Sequence, residues 1–326
     1  MKFGIVGTNF VSDFFMDGAK LVDACEVVGV ADVSQEIAKR FADKYDIPNA
    51  YGSYQEMAEA GLIDAVYIAV PNGLHKEISM YFLDRKIPTF CEKPLASNKD
   101  EVAEMYACAT KNNTYLQEGL IPLYNPNLKK VKESISQIGK IHQVTFTFAK
   151  YSSRYDAYLR GENPSTFRSD LANGAIMDLG VYVIADCIAL FGKPKEIISR
   201  AEVLDTGADV AGASIFVYDD FIATLSYSKA SDTKNLCEIC GEQGMITIDQ
   251  PSQPQEVILY DRIKKESKII SEKPSENFYY EIKEMIEQVN KGEISSVSVP
   301  HTLSKEIHEV LSECRKEAKI VFPCDK

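Results

Sequence analysis

Two rhythms of apolar and polar positions run along this chain, and one gives way to the other near residue 120. Residues 3–7 form a short apolar run ending in glycine, and 10–21 place their apolar side chains at helical spacing. The alternation then repeats, with strands at 26–31, 64–70, 87–91 and 114–118 and helices at 35–45, 75–84 and 98–112. The run at 64–70 is apolar almost without a break, as in a parallel strand covered on both faces. Strand and helix in succession with short loops predict a doubly wound parallel sheet of Rossmann type, an α/β domain over residues 1–120.

The second rhythm is different. A helix at 126–136 and a strand at 141–149 lead to a polar loop at 151–170. A helix at 174–191 follows, apolar nearly all round and so expected to be buried. Residues 196–270 read as strand after strand, broken by turns such as Tyr218-Asp219-Asp220 and Gly241-Glu242-Gln243-Gly244, and helices at 276–291 and 302–318 close the chain. Strands in series predict a second, α+β domain over 121–326, built on an open, largely antiparallel sheet. The boundary is expected at 119–124.

Composition alters this picture little. A length of 326 residues suits two domains, and 45% apolar with 26% charged residues is ordinary for a globular chain. Thirty-six basic against 48 acidic side chains leave a formal charge of −12, which speaks against a nucleic-acid surface. The opening stretch Met1 to Gly7 has no secretory apolar core, and no apolar run is expected to reach the ~20 residues of a membrane span. Eight scattered cysteines fit a reducing cytoplasm. The one C-x-x-C, Cys237 with Cys240, falls in a strand-like segment whose period of two sends the side chains to opposite faces, so two structural cysteines are expected. His142, His301 and His308 have no partners at ligand spacing, and no metal is expected.

Candidate chemistry begins at the first glycine. Gly7-Thr8-Asn9-Phe10-Val11-Ser12 lies between the first strand and the first helix, the place of a dinucleotide-binding turn of pattern G-x-G-x-x-G/A. Asn9 replaces the second glycine and Ser12 the third small residue. Asparagine tolerates positive φ best among non-glycine residues, so the turn is expected to survive. Asp32 ends the second strand about 20 residues on, placed to accept hydrogen bonds from the adenine ribose or to cap the helix that follows. Its charge repels a 2′-phosphate and neither Ala31 nor Val33 offers a cation, so NAD is favoured, with NADP possible. Pro71-Asn72-Gly73-Leu74-His75 follows a covered strand at the carboxyl edge of the sheet, where ligands of open α/β sheets bind. His75 starts a helix, which suits positioning or capping better than general base catalysis.

Cys91-Glu92-Lys93-Pro94-Leu95 closes a further strand, and a lysine locked there by proline is costly unless its charge is used. Downstream, Asp178 and Tyr182 lie four residues apart on one face of the apolar helix, and Asp186 continues the stripe in a structural role. Cation, carboxylate and phenol together can run proton transfer beside a hydride acceptor. A free tyrosine titrates near 10, and an ammonium that lowers this by ~3 units supplies about 4 kcal/mol. Tyr182 is therefore the expected acid/base, with Lys93 assisting. Arg154, Arg160 and Arg168 fall in the polar loop, where one of them is expected to face the cleft. Tyr151, Tyr155 and Tyr158 are placed to stack on a sugar ring or line an interface.

The run 64–70, Pro71-Asn72-x-x-His75, Glu92-Lys93-Pro94, Asp178-Leu179-Gly180-Val181-Tyr182 and Leu190-Phe191-Gly192-Lys193-Pro194, in that order over essentially the whole chain, resemble the Gfo/Idh/MocA family. The resemblance implies NAD(P)-linked oxidation or reduction of sugars, polyols or related carbonyls. It also implies a C-terminal sheet whose open face often packs on a second subunit, hence a homodimer or homotetramer. Carried over by position, Lys93 touches nicotinamide ribose and substrate, Asp178 holds a substrate hydroxyl and Arg168 makes a substrate contact. Gly7, Thr8, Asn9, Phe10, Asp32, Pro71, Asn72, His75, Glu92 and Lys93 are the expected cofactor-binding set. Tyr182 stands where many sugar and inositol dehydrogenases have histidine and where the dihydrodiol dehydrogenase and glucose–fructose oxidoreductase branches have tyrosine. That difference turns the expectation away from an inositol dehydrogenase. The runner-up reading is a non-catalytic dinucleotide-binding redox sensor or regulatory protein, which would have no use for a proton donor.

Overall fold

The computed structural model describes residues 1–275 and 278–325. Two compact units divide the chain: Met1–Gly119 with Ser275–Ser304, and Leu120–Pro274 with Lys305–Lys326.

In the first unit, strands β1 (Lys2–Val6), β2 (Glu26–Ala31), β3 (Asn49–Tyr51), β4 (Ala65–Ile68), β5 (Thr89–Glu92) and β6 (Leu116–Gly119) form one sheet in the order β3-β2-β1-β4-β5-β6. Every neighbouring pair is parallel. The chain starts at β1 and winds outward both ways, so the strand order reverses between β1 and β4, where a crevice opens at the carboxyl ends. All four residues of β4 and of β5 are buried, which is why their sequence lacks alternation. Local signals set the helix limits. Ser34 accepts from Ile37 N–H to start Gln35–Tyr45, and Asp46 stops it in the left-handed region at φ 55°.

Strand β3 and the helix Tyr54–Glu59 were not expected from the sequence, because three half-exposed residues at a sheet edge are too short to show a period. The division of the chain also needs correcting. A single break at 120 assigns 121–326 to the second domain, yet the segment containing helix Tyr279–Asn290 belongs to the first unit. Phe278 explains it: 1% exposed, it packs tilted and edge-on among Phe15, Tyr67 and Phe90 at 5.6–6.0 Å between ring centroids. Burying such a ring is worth about 1.5–3 kcal/mol, enough to draw the segment back. The expected start of that helix at Glu276 lies outside the described residues.

The second unit holds β7 (Ile141–Ala149), β8 (Glu196–Val203), β9 (Asp209–Val217), β10 (Ile222–Ser228), β11 (Cys237–Gly241), β12 (Gly244–Ile248), β13 (Val257–Asp261) and β14 (Glu266–Ile269). They form one sheet in the order β14-β13-β12-β11-β7-β10-β9-β8. Its pairs are antiparallel except β7 with β10. The helix Val181–Phe191 lies against β7 and β10 with Val183, Ile184, Ala185 and Cys187 buried. Ahead of it, Ile176–Gly180 forms a π-helical turn rather than the continuous α-helix expected over 174–191. The stretch Ser169–Phe191 is long and apolar enough for a membrane span by length and composition, which corrects the expectation that no run reaches that length; 72% of its apolar 18-residue window is buried within the fold. The polar loop 151–170 is also more ordered than expected, since Ser152 caps a short helix, Ser153–Leu159.

Candidate active site

The cofactor end is built where β1 meets its helix. Gly7 has φ 93°, and a Cβ there would lie 2.1 Å from the carbonyl oxygen of Ala69, so only glycine fits between β1 and the chain leaving β4. Asn9 works differently from the expectation. Its φ is −79°, and instead of supplying a left-handed turn it caps the helix, accepting from Val11 N–H at 2.8 Å while its Nδ2 donates to Ala69 O at 2.7 Å. The single left-handed position of this turn is thus Gly7, and Asn9 braces it. Ser12, fully buried, donates to Gly7 O at 2.7 Å and closes the turn from inside. Phe10 stands exposed at the helix start.

Asp32 is locked to the same turn. Its Oδ2 accepts from Thr8 N–H at 2.9 Å and from Thr8 Oγ1 at 2.7 Å, and its Oδ1 from Val33 N–H at 2.7 Å. The cap of the following helix is Ser34, so the capping alternative for Asp32 falls away. Gly7 and Asp32 line one cavity of about 220 Å³ with Val33, Ser53, Tyr54, Val70, Leu74 and Glu77. A close-approach glycine, a fixed carboxylate at the end of the second strand and an adjoining apolar slot fit the adenosine half of a dinucleotide.

On the other side of the crevice, Pro71 leads into a short turn, Asn72–Leu74. His75 is fully buried with Nδ1 2.8 Å from Pro94 O and Nε2 2.9 Å from Val70 O. Both nitrogens lie within hydrogen-bond distance of backbone carbonyls, so His75 ties the end of β4 to the Lys93–Pro94 segment. Burial pulls its pKa below the usual value, against the two carbonyls that favour the charged ring. Lys93 is half-buried, and its peptide bond to Pro94 is cis. Glu92 turns inward: its Oε1 accepts from Tyr67 OH at 2.8 Å, and burial pushes its carboxyl up to about 7. Behind it, Glu118 takes Leu95 N–H at 2.9 Å. Glu281 is buried with Oε1 lacking a hydrogen-bond partner among the described residues, and burial raises its pKa well above the carboxylate range.

Lys93 belongs to the first unit; Asp178 and Tyr182 belong to the second. Asp178 sits on the π-helical turn, whose i→i+5 bonding makes a wider turn than an α-helix, so residues four apart come closer to one line. Such turns recur at functional sites. The turn is held at its start by Asp209, whose Oδ2 accepts from Ile176 N–H at 2.8 Å. Gly174 makes room for that carboxylate, since a Cβ there would lie 2.2 Å from Asp209 Oδ1. Lys229 donates to Asp178 Oδ2. Tyr182, 9% exposed, packs edge-on against Phe148 at 5.6 Å. Asp186 is buried, with burial raising its pKa well above the carboxylate range, as suits a structural acid.

Arg160 and Arg168 of the polar loop are paired separately. Arg168 lines an open cavity of about 570 Å³ with Tyr158, Asp170 and Asp205, and its guanidinium is paired with Asp170. Arg160 is paired with Glu162 at 2.8 Å and does not line that cavity. Tyr155 and Tyr158 stack at 6.0 Å over Phe167, and Tyr158 OH donates to Asp205 at 2.9 Å. Cys237 is buried and Cys240 half-buried, and both are free thiols. Among the described residues no group of three His, Cys, Asp or Glu side chains is arranged to hold a metal.

Lys229 and Asp209 were missed in the sequence. Lys229 continues the inward period of β10, where Ala223, Leu225 and Tyr227 are 0%, 1% and 2% exposed and Lys229 itself 7%. A lysine in step with a buried strand face was the available signal. Asp209 offered none, since an aspartate after Gly207 reads as a turn residue.

The geometry meets its relatives at this point. Residues 1–120 match the GFO_IDH_MocA oxidoreductase family, described as having an NAD-binding Rossmann fold, and residues 128–247 match the GFO/IDH/MocA C-terminal domain. The chain belongs to the Gfo/Idh/MocA oxidoreductase family. It is accordingly an NAD(P)-dependent oxidoreductase. It is 35% identical, over 100% of its length and 99% of the relative's, to scyllo-inositol 2-dehydrogenase (NADP(+)) IolU of Bacillus subtilis. It is 28% identical, over the same shares, to trans-1,2-dihydrobenzene-1,2-diol dehydrogenase of Mus musculus. The fold superposes on a 3-ketoreductase from Actinomadura kijaniata, crystallised with NADP and TDP-benzene, with a TM-score of 0.85 at 20% identity over 97% of each chain. The tyrosine at 182 turns the expectation from inositol dehydrogenases, yet the Bacillus relative carries that name.

Proposed function

We propose that the protein transfers a hydride between NAD(P) and a CH–OH carbon of a sugar, polyol or related carbonyl compound. In this reading Tyr182 exchanges the hydroxyl proton, Lys93 assists with its positive charge, and Asp178 accepts a hydrogen bond from a substrate hydroxyl. The observation that carries it is the acid pair on one helix: a half-exposed Asp178 anchored by an inward ammonium, with a phenol four residues on. A purely structural helix gains nothing from a carboxylate kept partly open. The bound nicotinamide supplies the hydride acceptor or donor. In oxidation Tyr182 receives the hydroxyl proton, and in reduction its phenol gives that proton back. Lys93 stabilises negative charge on the oxygen that is losing or gaining the proton.

The names of the two curated relatives both denote ring compounds with adjacent hydroxyls, and such a ring is the substrate class we favour. The locked Asp32 supports NAD over NADP in this chain. The test is a panel headed by scyllo-inositol, with other cyclic polyols, sugars and dicarbonyls, followed at 340 nm with each nucleotide. Turnover on a cyclic polyol and a loss of about 10²–10⁴-fold in kcat for Tyr182→Phe are expected. NADH binding without turnover of any compound, and no effect of Tyr182→Phe, would establish the redox-sensor reading instead.

Assembly is proposed to use the open face of the second sheet. There Ile198 pairs with Ile215, and Ile222 with Val217, on neighbouring strands, with Ile198, Ile215 and Ile222 each at least 38% exposed. An exposed apolar patch of this kind on a sheet suits a second copy of the chain. The eight free cysteines support a reducing compartment such as the cytoplasm.

A further inference from the structure

Lys229 is a lysine in an apolar wall, and its backbone is pinned on both sides. Its N–H donates to Val210 O at 2.8 Å and its carbonyl accepts from Ser152 N–H at 2.9 Å. The side chain has little freedom to reach solvent and is 9% exposed. Burying an ammonium is costly unless a carboxylate meets it. The carboxylate it meets is Asp178, whose side chain is 44% exposed. The inward partner is therefore the fixed one, and the outward partner is the one being aimed.

Three further features hold Asp178 from below. Asp209 accepts from Ile176 N–H two residues earlier on the same turn, and Asp178 N–H donates to Gly174 O at 3.1 Å. Gly180, two residues later, sits so close to Tyr227 that a Cβ there would lie 3.0 Å from its ring. Tyr227 and Lys229 project from the same inward face of β10, so one strand supports the turn with a ring and its side chain with a charge.

We propose that Lys229 is a positioning residue for the reaction, fixing the Asp178 carboxylate through Oδ2 so that Asp178 presents a preset acceptor to a substrate hydroxyl. This rests on the reading of Asp178 as a substrate-holding group. A charged hydrogen bond from a wall that cannot move restricts rotation about the Asp178 side chain, which a neutral neighbour would not do. The effect falls on substrate rather than on cofactor.

The experiment compares Lys229→Met, Lys229→Arg, Asp178→Asn and the Lys229→Met/Asp178→Asn double variant of the full chain. It uses scyllo-inositol as substrate and NADH fluorescence for cofactor binding, with crystal structures of the parent and of Lys229→Met. For Lys229→Met, kcat/KM is expected to fall about 30–100-fold, carried mainly by KM, with the NADH Kd within about twofold of the parent. Lys229→Arg is expected to recover at least a third of the lost activity on a logarithmic scale. Adding Lys229→Met to Asp178→Asn is expected to cost less than about threefold more, since the two act as a unit. The Asp178 carboxylate is expected in a changed rotamer in the Lys229→Met crystals. A folded Lys229→Met with kcat/KM within twofold of the parent, losses that multiply in the double variant, or an unmoved Asp178 would each overturn the proposal. If Lys229→Met does not fold, Lys229→Gln keeps the length without the charge and is read by the same criteria. Full activity in Asp178→Asn, or no turnover of scyllo-inositol by the parent, strikes the substrate reading itself. The Asp178 rotamer in Lys229→Met then still decides the role of Lys229.

Discussion

Replacing Glu92 by glutamine should make the protein less stable in acid and more stable above neutrality. Glu92 is 8% exposed and accepts from Tyr67 OH at 2.8 Å and, weakly, from Lys93 N–H at 3.3 Å. The groups facing it are Tyr67 on β4, Lys93 beside it, Glu118 on β6 and Glu281 on the returning helix. Burial outweighs the charge of Lys93 and these hydrogen bonds and pushes the carboxyl up from 4.5 to about 7. The folded state thus holds the proton where the unfolded chain has lost it. The associated stability is fully present below pH 4.5 and disappears as pH rises through about 7. At ~1.4 kcal/mol per pKa unit the change amounts to about 3 kcal/mol. Glutamine keeps an acceptor for Tyr67 and never ionises, but gives up the Lys93 N–H bond, about 1 kcal/mol. The variant should therefore be about 0.6 kcal/mol less stable than the parent at pH 4.5 and about 2 kcal/mol more stable at pH 8, with the curves crossing at about pH 5. Asp209, pushed by burial to about 7 in the second unit, tilts both curves alike and drops out of the difference. Urea unfolding of both proteins, followed by far-UV circular dichroism from pH 4.5 to 8, measures it. A difference constant to within about 0.5 kcal/mol over that range would refute the reasoning.

Other expectations follow from single contacts. Gly7→Ala places a methyl 2.1 Å from Ala69 O at φ 93° and should cost about 3 kcal/mol or more, together with NADH binding, read by urea midpoint and NADH fluorescence. Gly174→Ala drives a Cβ to 2.2 Å from Asp209 Oδ1 and should cost about 2–4 kcal/mol. It should also cut turnover while leaving NADH affinity intact, because only the Asp178 turn is disturbed. Ile215→Asp puts a charge into the open sheet face and should yield monomers in light scattering, with the circular dichroism spectrum unchanged.

The parallel sheet was legible because β4 and β5 are buried on both faces and the helix after β5 carries its own cap in Asn98, so pattern and local chemistry agree. Lys93, Asp178 and Tyr182 stood out for the opposite reason, as polar groups in apolar surroundings. What escaped the sequence was tertiary. β3 exists because its three residues pair with Gly29, Val30 and Ala31, and nothing in Asn49-Ala50-Tyr51 announces a strand. The helix after Phe278 returns to the first unit through ring contacts some 190–260 residues away in the chain. The role of Asn9 was misjudged because a glycine replaced by asparagine suggests a left-handed residue, whereas its side-chain amide reaches Ala69 and its carbonyl caps the helix. The π-turn at Asp178 has no sequence rule of its own. It follows from Asp209 binding the start of the turn and Tyr227 crowding Gly180.

The two units share a physical arrangement around their candidate side chains. In the first, Lys93 adjoins Glu92; in the second, Lys229 and the turn of Asp178 adjoin Asp209. Both inner acids are pushed by burial to about 7. A buried acid of this kind is a poor choice for stability, since an amide of the same shape would avoid the ionisation cost above neutrality. Each is held protonated by the fold below about 7, and its contribution to stability is lost as pH rises through that value. A cost of this kind, placed at Glu92 and Asp209 rather than at the surface, is what a stability–activity trade-off predicts.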